Sequence, residues 1–290
     1  MDKTELARTR PTNAPARRGV RRRLGLAICG SLAVMLPAVA AADIIGHRAV
    51  YTLSLNRVVG DSNVADARGV FAVEWTDNCD GWAVEQSYSL HVAYHEQPDQ
   101  LISSRYTTWE AKDGLSYTFD VVTTRSGRRA ERVQGTAEID PETHAGSAQY
   151  VEPRGLQIRL PEGSMFPAAH TEELLSRAGA GERLWPAIVF DGANVDQPLL
   201  INAAFGGPVE AAPVSEAQPA AAGQTDLTSV GGWRVRMAVF AETTRGEEPD
   251  YEIQMDLLNN GVARMMQLDY GEFVLDADLR VIEPTPAPQC

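Results

Sequence analysis

The chain has 290 residues, 26 of them basic and 39 acidic, for a formal net charge of −13. The basic residues gather at the start: residues 43–290 alone hold 18 basic and 37 acidic residues, a net charge of −19. A surface this acidic repels nucleic acid and anionic headgroups, which excludes nucleic-acid binding but not a lipid carried in an interior cavity.

Residues 1–42 read as a cleaved signal peptide. Arg17, Arg18, Arg21, Arg22 and Arg23 precede an apolar run, Leu24–Ala42, that closes on Ala38-Val39-Ala40 or Ala40-Ala41-Ala42. A basic region, an apolar region and an A-x-A site are what secretion and cleavage need. The run is almost long enough for a membrane anchor, but Pro37 and the small residues at its end favour cleavage. A lipoprotein signal at Cys29 is disfavoured by the bulky Ile28 before it, and Arg22-Arg23 is a weak twin-arginine signal. The expected location is the periplasm, reached by general secretion.

Cys29 leaves with the signal, so Cys79 and Cys290 remain in an oxidising compartment, where two cysteines usually pair. A Cys79–Cys290 bond would close nearly all of the remaining chain and tie down its Pro-rich tail. On the chain-entropy account that constraint is worth up to about 5 kcal/mol. Two free thiols or an intermolecular bridge are the alternatives. With no CxxC motif, redox exchange is not indicated.

Beyond residue 42 the pattern is β, in one domain spanning 43–290. In "AVYTLSLNRVV" Tyr51, Leu53 and Leu55 fall on one side, and Val50, Thr52 and Ser54 on the other. Strands of similar length follow in "ARGVFAVEWT", "WAVEQSYSLHVAYH", "LISSRYTTWE", "LSYTFDVVTT", "ERVQGTAEI" and "GLQIRL". Asp80-Gly81, Asp113-Gly114, Ser126-Gly127 and, later, Asn260-Gly261 supply turn signals, with the positive φ angles that tight hairpins need. One helix is predicted, over "FPAAHTEELLSRAGAG" (166–181): Pro167 starts it, Gly179 and Gly181 end it, and Leu174, Leu175 and Ala178 form its apolar face. Glu172 and Glu173 would favour its positive N-terminus. The strands "ERLWPAIVFDG" and "PLLINAAF" come next, then an Ala/Pro-rich segment, 206–224, expected to be a flexible loop. "GWRVRMAVF", "YEIQMDLL", "VARMMQLDY" and "EFVLDADLRVIE" complete the chain. A dozen or so antiparallel strands cannot remain flat, so the expected architecture is one long sheet curled around the helix, with Leu174 and Leu175 filling the hollow.

Catalytic patterns are absent: no G-x-S-x-G, P-loop, G-x-G-x-x-G or H-E-x-x-H occurs. His91 and His95 have the spacing of a helical metal pair, but on a strand they stand about 13 Å apart, too far for one ion. Asp276 and Asp278 read as solvent-facing carboxylates of a late strand, and His170 as a structural residue of the helix. Trp75, Trp82, Trp109, Trp185 and Trp233 lie in predicted strands and are explained by packing. Arg125, Arg128, Arg129 and Arg132 form the one basic cluster, either a charged hairpin tip or a docking patch for an acidic partner.

Several stretches in this order, "HRAVYTLSL", "CDGW", "FPAAHTEELL…AGAGERL…FDG", "GGWRVRMAVF" and "NNGVARMMQLDYGEFVLDADLRVIEP…C", resemble the EipB-type periplasmic cell-envelope integrity proteins of alphaproteobacteria. The resemblance covers residues 43–290. It implies a β-spiral of about fourteen strands around one helix, similar to lipoprotein carriers of the bacterial envelope, and a disulfide that maps onto Cys79 and Cys290. It further implies a role in envelope integrity and a periplasmic tetratricopeptide-repeat protein as partner, and it brings no enzymatic activity and no cofactor. A lipid or lipoprotein acyl chain held by the concave sheet is the alternative function.

Overall fold

Alternation of apolar and polar side chains along fifteen strands builds one sheet and gives it an inside. The computed structural model describes residues 44–126, 128, 130–212, 226–241 and 248–290; the expected signal peptide and Cys29 lie outside them. The strands are β1 (His47–Val58), β2 (Val64–Asp77), β3 (Gly81–Tyr94), β4 (Gln100–Ala111), β5 (Ser116–Arg125), β6 (Glu131–Ile139), β7 (Gly146–Glu152), β8 (Gln157–Leu160) and β9 (Ser164–Met165). The helix α1 (Pro167–Gly179) follows, and then β10 (Leu184–Val189), β11 (Leu199–Val209), β12 (Gly232–Ala241), β13 (Tyr251–Leu258), β14 (Ala263–Asp269) and β15 (Phe273–Pro284).

The order across the sheet is β8-β7-β6-β5-β4-β3-β2-β1-β15-β14-β13-β12-β11-β10-β9. β1 and β15 pair in its middle, from His47 opposite Pro284 to Val58 opposite Phe273. Two antiparallel meanders spread from that pair and curl until their free edges, β8 and β9, are joined by only three residues of chain. The result is a mainly β, nearly closed barrel-like sheet with one helix. The short parallel pair of β9 with β10 is the one exception to antiparallel order.

Strand period decides which residues face the interior. On β1, Ala49, Tyr51 and Leu53 are buried, and on β15, Leu275, Ala277 and Leu279. Asp276 and Asp278 alternate with the latter on the outer side, as expected: Asp276 accepts from Asn56 at 2.7 Å, and Asp278 pairs with Arg280 at 3.3 Å. α1 packs Ala168, His170, Leu174, Leu175 and Ala178 against the wall. Burying a leucine of this kind contributes about 1.5–3 kcal/mol. Tyr117, Phe119, Phe166 and Phe190 form a separate aromatic cluster, with Tyr117 and Phe166 stacked at 4.9 Å.

Four local expectations change. β7 carries no strand signal in the sequence, because Gly146, Ser147, Ala148 and Gln149 are small or polar; its buried Ala148 and Tyr150 face the aromatic cluster. With β7 and the two-residue β9, the count is fifteen strands. The segment 206–224 does not begin as a loop: Gly206–Val209 extend β11, pairing Pro208 with Trp233 and Val209 with Gly232, and residues 213–224 lie outside the described residues. At the β2–β3 turn the positive φ belongs to Cys79 (67°), not Gly81, whereas Gly114 (71°) and Gly261 (86°) take the expected left-handed conformation. Asp77 holds the strained cysteine, its Oδ1 accepting the Cys79 N–H at 2.8 Å.

The Cys79–Cys290 bond follows from this register. His47 is opposite both Pro284 and Trp75, so β15 leaves the sheet beside the end of β2. Thr285 continues alongside, donating through its N–H to Gly46 O at 3.0 Å and through its hydroxyl to Trp75 O at 2.8 Å. Six residues past Pro284 and four past Trp75, the two cysteines are bonded, with Cα atoms 5.8 Å apart.

Candidate functional site

The interior of the sheet, with α1 packed against its wall, is the candidate site. Phe166 precedes the helix in an extended conformation, and Pro167 occupies its first turn, where a missing N–H does no harm. No side chain of the helix caps it. Glu110, on β4 across the lumen, does so instead: Oε2 accepts the Ala168 N–H at 2.6 Å and Oε1 the Ala169 N–H at 2.8 Å. The carboxylate thus satisfies orphan donors and meets the positive end of the helix. It is only 3% exposed, and that burial pushes its pKa up to about 7, against the opposing pull of the two N–H groups. The expectation that Glu172 and Glu173 serve the N-terminus fails because they lie beyond the first turn; Glu173 pairs instead with Arg177, four residues on, at 2.9 Å. Glu110 escaped the sequence reading, although Tyr106, Thr108 and Glu110 share one strand face and an acid at the end of such a row signals a buried role.

A second set of side chains holds the two wings together. The hydroxyls of Tyr106 and Tyr117 both donate to Asp191 O, Tyr117 at 3.0 Å, and Tyr150 donates to Asn194 O at 2.9 Å. These tyrosines stand on β4, β5 and β7, and the carbonyls lie in the β10–β11 connection. Gly192, at φ 80°, brings that connection against Phe119, where an added Cβ would clash at 2.4 Å. The barrel is therefore closed by side chains where the backbone ladder stops.

Inside the wall lie three adjoining cavities, two of them lined in part by α1. One, of about 340 Å³, is bordered by Phe71, Tyr88, Met255, Met266, Leu268 and others. A second, of about 330 Å³, lies beneath α1 and reaches Glu110 and Asp191. A third, of about 190 Å³, joins Tyr51 and Phe71 to Leu174. Gln86 borders all three, and His170 the second and third. The two larger volumes fall within the range of small-ligand sites, and the third is smaller. His170 is stacked on Trp185 at 5.3 Å, its Nε2 is buried with no partner among the described residues, and burial lowers its pKa to about 4. Glu110 and Asp191 both border the second cavity, yet each is engaged by backbone N–H groups, Asp191 by that of Ala193 at 2.9 Å.

The other singled-out residues lie elsewhere. His91 pairs with Asp99 at 3.0 Å, and His95 sits past the end of β3. Among the described residues no group of three or more His, Cys, Asp and Glu could hold a metal ion. Arg125 and Arg132 pair with Glu131 and Asp120 at the β5–β6 tip; Arg128 is exposed and Arg129 lies outside the described residues. Among the described residues no helix is long and apolar enough to cross a membrane.

The profile of the EipB-like family matches residues 38–286. The chain belongs to the EipB-like family. Its sequence is similar to the cell envelope integrity protein EipB of Brucella abortus (strain 2308), 25% identical over 244 residues, covering 83% of this chain and 85% of the relative. Its fold is similar to the crystal structure of a β-barrel-like protein of a domain of unknown function from Brucella abortus, with a TM-score of 0.74 and 26% identity, covering 85% of this chain and all of that one. The helix, the wall strands and Cys79 lie within the matched span, and Cys290 lies four residues past it.

Proposed function

We propose that the protein supports the integrity of the cell envelope from the periplasm, without catalysis of its own. Family membership over residues 38–286 carries this reading, together with a relative named for that role. The names of the relatives carry no enzymatic activity. A disulfide suits an oxidising compartment, and the basic and apolar residues 1–42 suit export to it. On this reading the protein works through a protein partner, a tetratricopeptide-repeat protein of the periplasm, docked on the outer face. The β5–β6 tip with exposed Arg128 is the patch for an acidic surface. Deletion is expected to sensitise cells to detergents and cell-wall antibiotics, with the gene restoring resistance in trans; deletants as resistant as the parent would end the proposal. Charge reversal at Arg125 and Arg128 that left partner binding intact would move the docking surface elsewhere.

A second reading has its own support in the interior. Three adjoining interior cavities, one walled by Phe71, Met255, Met266 and Leu268 and two reaching α1, suit a carrier that holds an apolar chain. Lipid retained through gentle purification favours it; a bare protein favours the partner-binding reading.

A further inference from the structure

The chemistry of the lumen narrows what an apolar chain held there can be. We propose that the lumen takes an acyl chain in uncharged ester or amide linkage, its linkage carbonyl met by Gln86 and His170, and that it rejects a chain ending in a free anion. This inference rests on the carrier reading.

The first observation is charge. None of the residues bordering the three cavities is Lys or Arg. Apart from tyrosines, which burial keeps neutral, the ionisable groups that face the interior are acidic, Glu110 and Asp191, or are the histidines His47 and His170. Burial lowers the pKa of both histidines, so neither supplies a cation at neutral pH. A carboxylate or phosphate brought inside would lose its hydration, meet no cation and face two acids, a heavily unfavourable placement.

The second observation is which polar groups remain unused. Most inward hydroxyls are engaged: Tyr51 donates to Ala263 O at 2.7 Å, Thr171 to Pro167 O at 2.9 Å, and Tyr106 and Tyr117 to Asp191 O. Gln86 is different. It stands on the inward face of β3, opposite Val73 and Tyr106, and its carboxamide finds no hydrogen-bond partner among the described residues. His170 Nε2 is likewise unpartnered, in a residue 5% exposed. Buried polar atoms are almost always satisfied, so the His170 exception calls for a missing partner, and half-buried Gln86 offers a carboxamide beside it. The two residues share two cavities whose other walls are largely apolar, the arrangement that fixes one polar point of an otherwise apolar ligand.

The linkage could come from a glycerolipid or from an acylated polypeptide, and the probes separate them. The protein, freed of bound lipid, is titrated at about pH 7.5 with monoolein, with sodium oleate and with an uncharged dipalmitoylglyceryl-cysteine peptide amide, and complexes are read by native mass spectrometry. At least one neutral probe is expected to bind about tenfold or more tightly than oleate, a difference of about 1.4 kcal/mol. Tighter binding of monoolein assigns the site to glycerolipids, and tighter binding of the peptide to acylated proteins. Gln86→Leu and His170→Phe, which keep size but remove the polar atoms, are each expected to shrink the preference severalfold while melting as the parent does. Oleate bound as tightly as the neutral probes, no neutral probe bound, or an unchanged preference in both folded variants would overturn the proposal. If a variant fails to fold, the comparison of probes on the parent protein still decides. The deletion phenotype is read in cells and stands or falls separately.

Discussion

Glu110 makes a prediction with a sign that can be worked out. Its carboxylate is buried against the N-terminus of α1, and its pKa is pushed from 4.5 to about 7, by burial first and by the nearby charge of Glu172 as well. A native state that holds this proton more tightly than the unfolded chain is stabilised where the proton is bound. The contribution is fully present below about pH 4.5 and is lost as the pH rises through about 7. Glu110→Gln cannot titrate there, and it replaces one acceptor by a donor facing the Ala168 or Ala169 N–H, so it destabilises at every pH. The informative quantity is the difference between parent and variant across pH. From the two pKa values, the advantage of the parent shrinks by about 2–3 kcal/mol between about pH 5 and pH 8. Urea denaturation of both proteins, followed by tryptophan fluorescence at pH 5, 6, 7 and 8, measures it. His47 and His170, whose lowered pKa values act in the opposite direction, titrate in both proteins and cancel in the difference. A parent–variant difference that is flat in pH, or that grows toward pH 8, would refute the account of Glu110 as a buried acid under the helix.

Two further substitutions test the frame around the site. Cys290→Ser opens a loop spanning 211 residues and is expected to destabilise by a few kcal/mol, up to about 5 on the entropy account; a melting temperature equal to the parent's under oxidising conditions would show that the bond contributes nothing. Leu174→Ala leaves a void between α1 and β10–β13 and is expected to lower stability by about 2–5 kcal/mol in calorimetry, whereas a change below about 0.5 kcal/mol would mean that the helix is not packed against the wall.

How much of this was readable beforehand depends on the range of the interaction. Strand period is local, so most of the fifteen strands, the inward set Tyr51 and Leu53, and the helix with Leu174 and Leu175 could be read from neighbours in sequence. β7 could not, because Gly146 to Gln149 carry no apolar alternation and acquire a strand conformation only from β6 and β8 on either side. The same holds for Gly206–Val209, which look like a loop until Trp233 and Gly232 pair with them. Longest in range are the contacts that close the lumen. Glu110 reaches a helix 58 residues away, and Tyr106 a carbonyl 85 residues away. Parity tells which way such a side chain points, but only the curl of the sheet decides what stands opposite.

The closing contacts also explain why the lumen remains partly empty. A curled sheet with two free edges needs something polar to join them, since side-chain packing alone leaves unpaired backbone groups at the seam. Here that need is met by the tyrosine hydroxyls on the Asp191 and Asn194 carbonyls, which hold the wings at a distance set by three aromatic side chains. Glu110 likewise fixes α1 by its N-terminus. Both devices are directional and rigid, whereas hydrophobic collapse alone would draw the wall inward until no space was left. Cavities bordered by Met255, Met266 and Phe71 are therefore held open by hydrogen bonds made elsewhere in the same interior. If that is so, Tyr150→Phe and Glu110→Gln should narrow or merge the cavities before they unfold the sheet, and any bound chain would report it as a loss of affinity in proteins that remain folded.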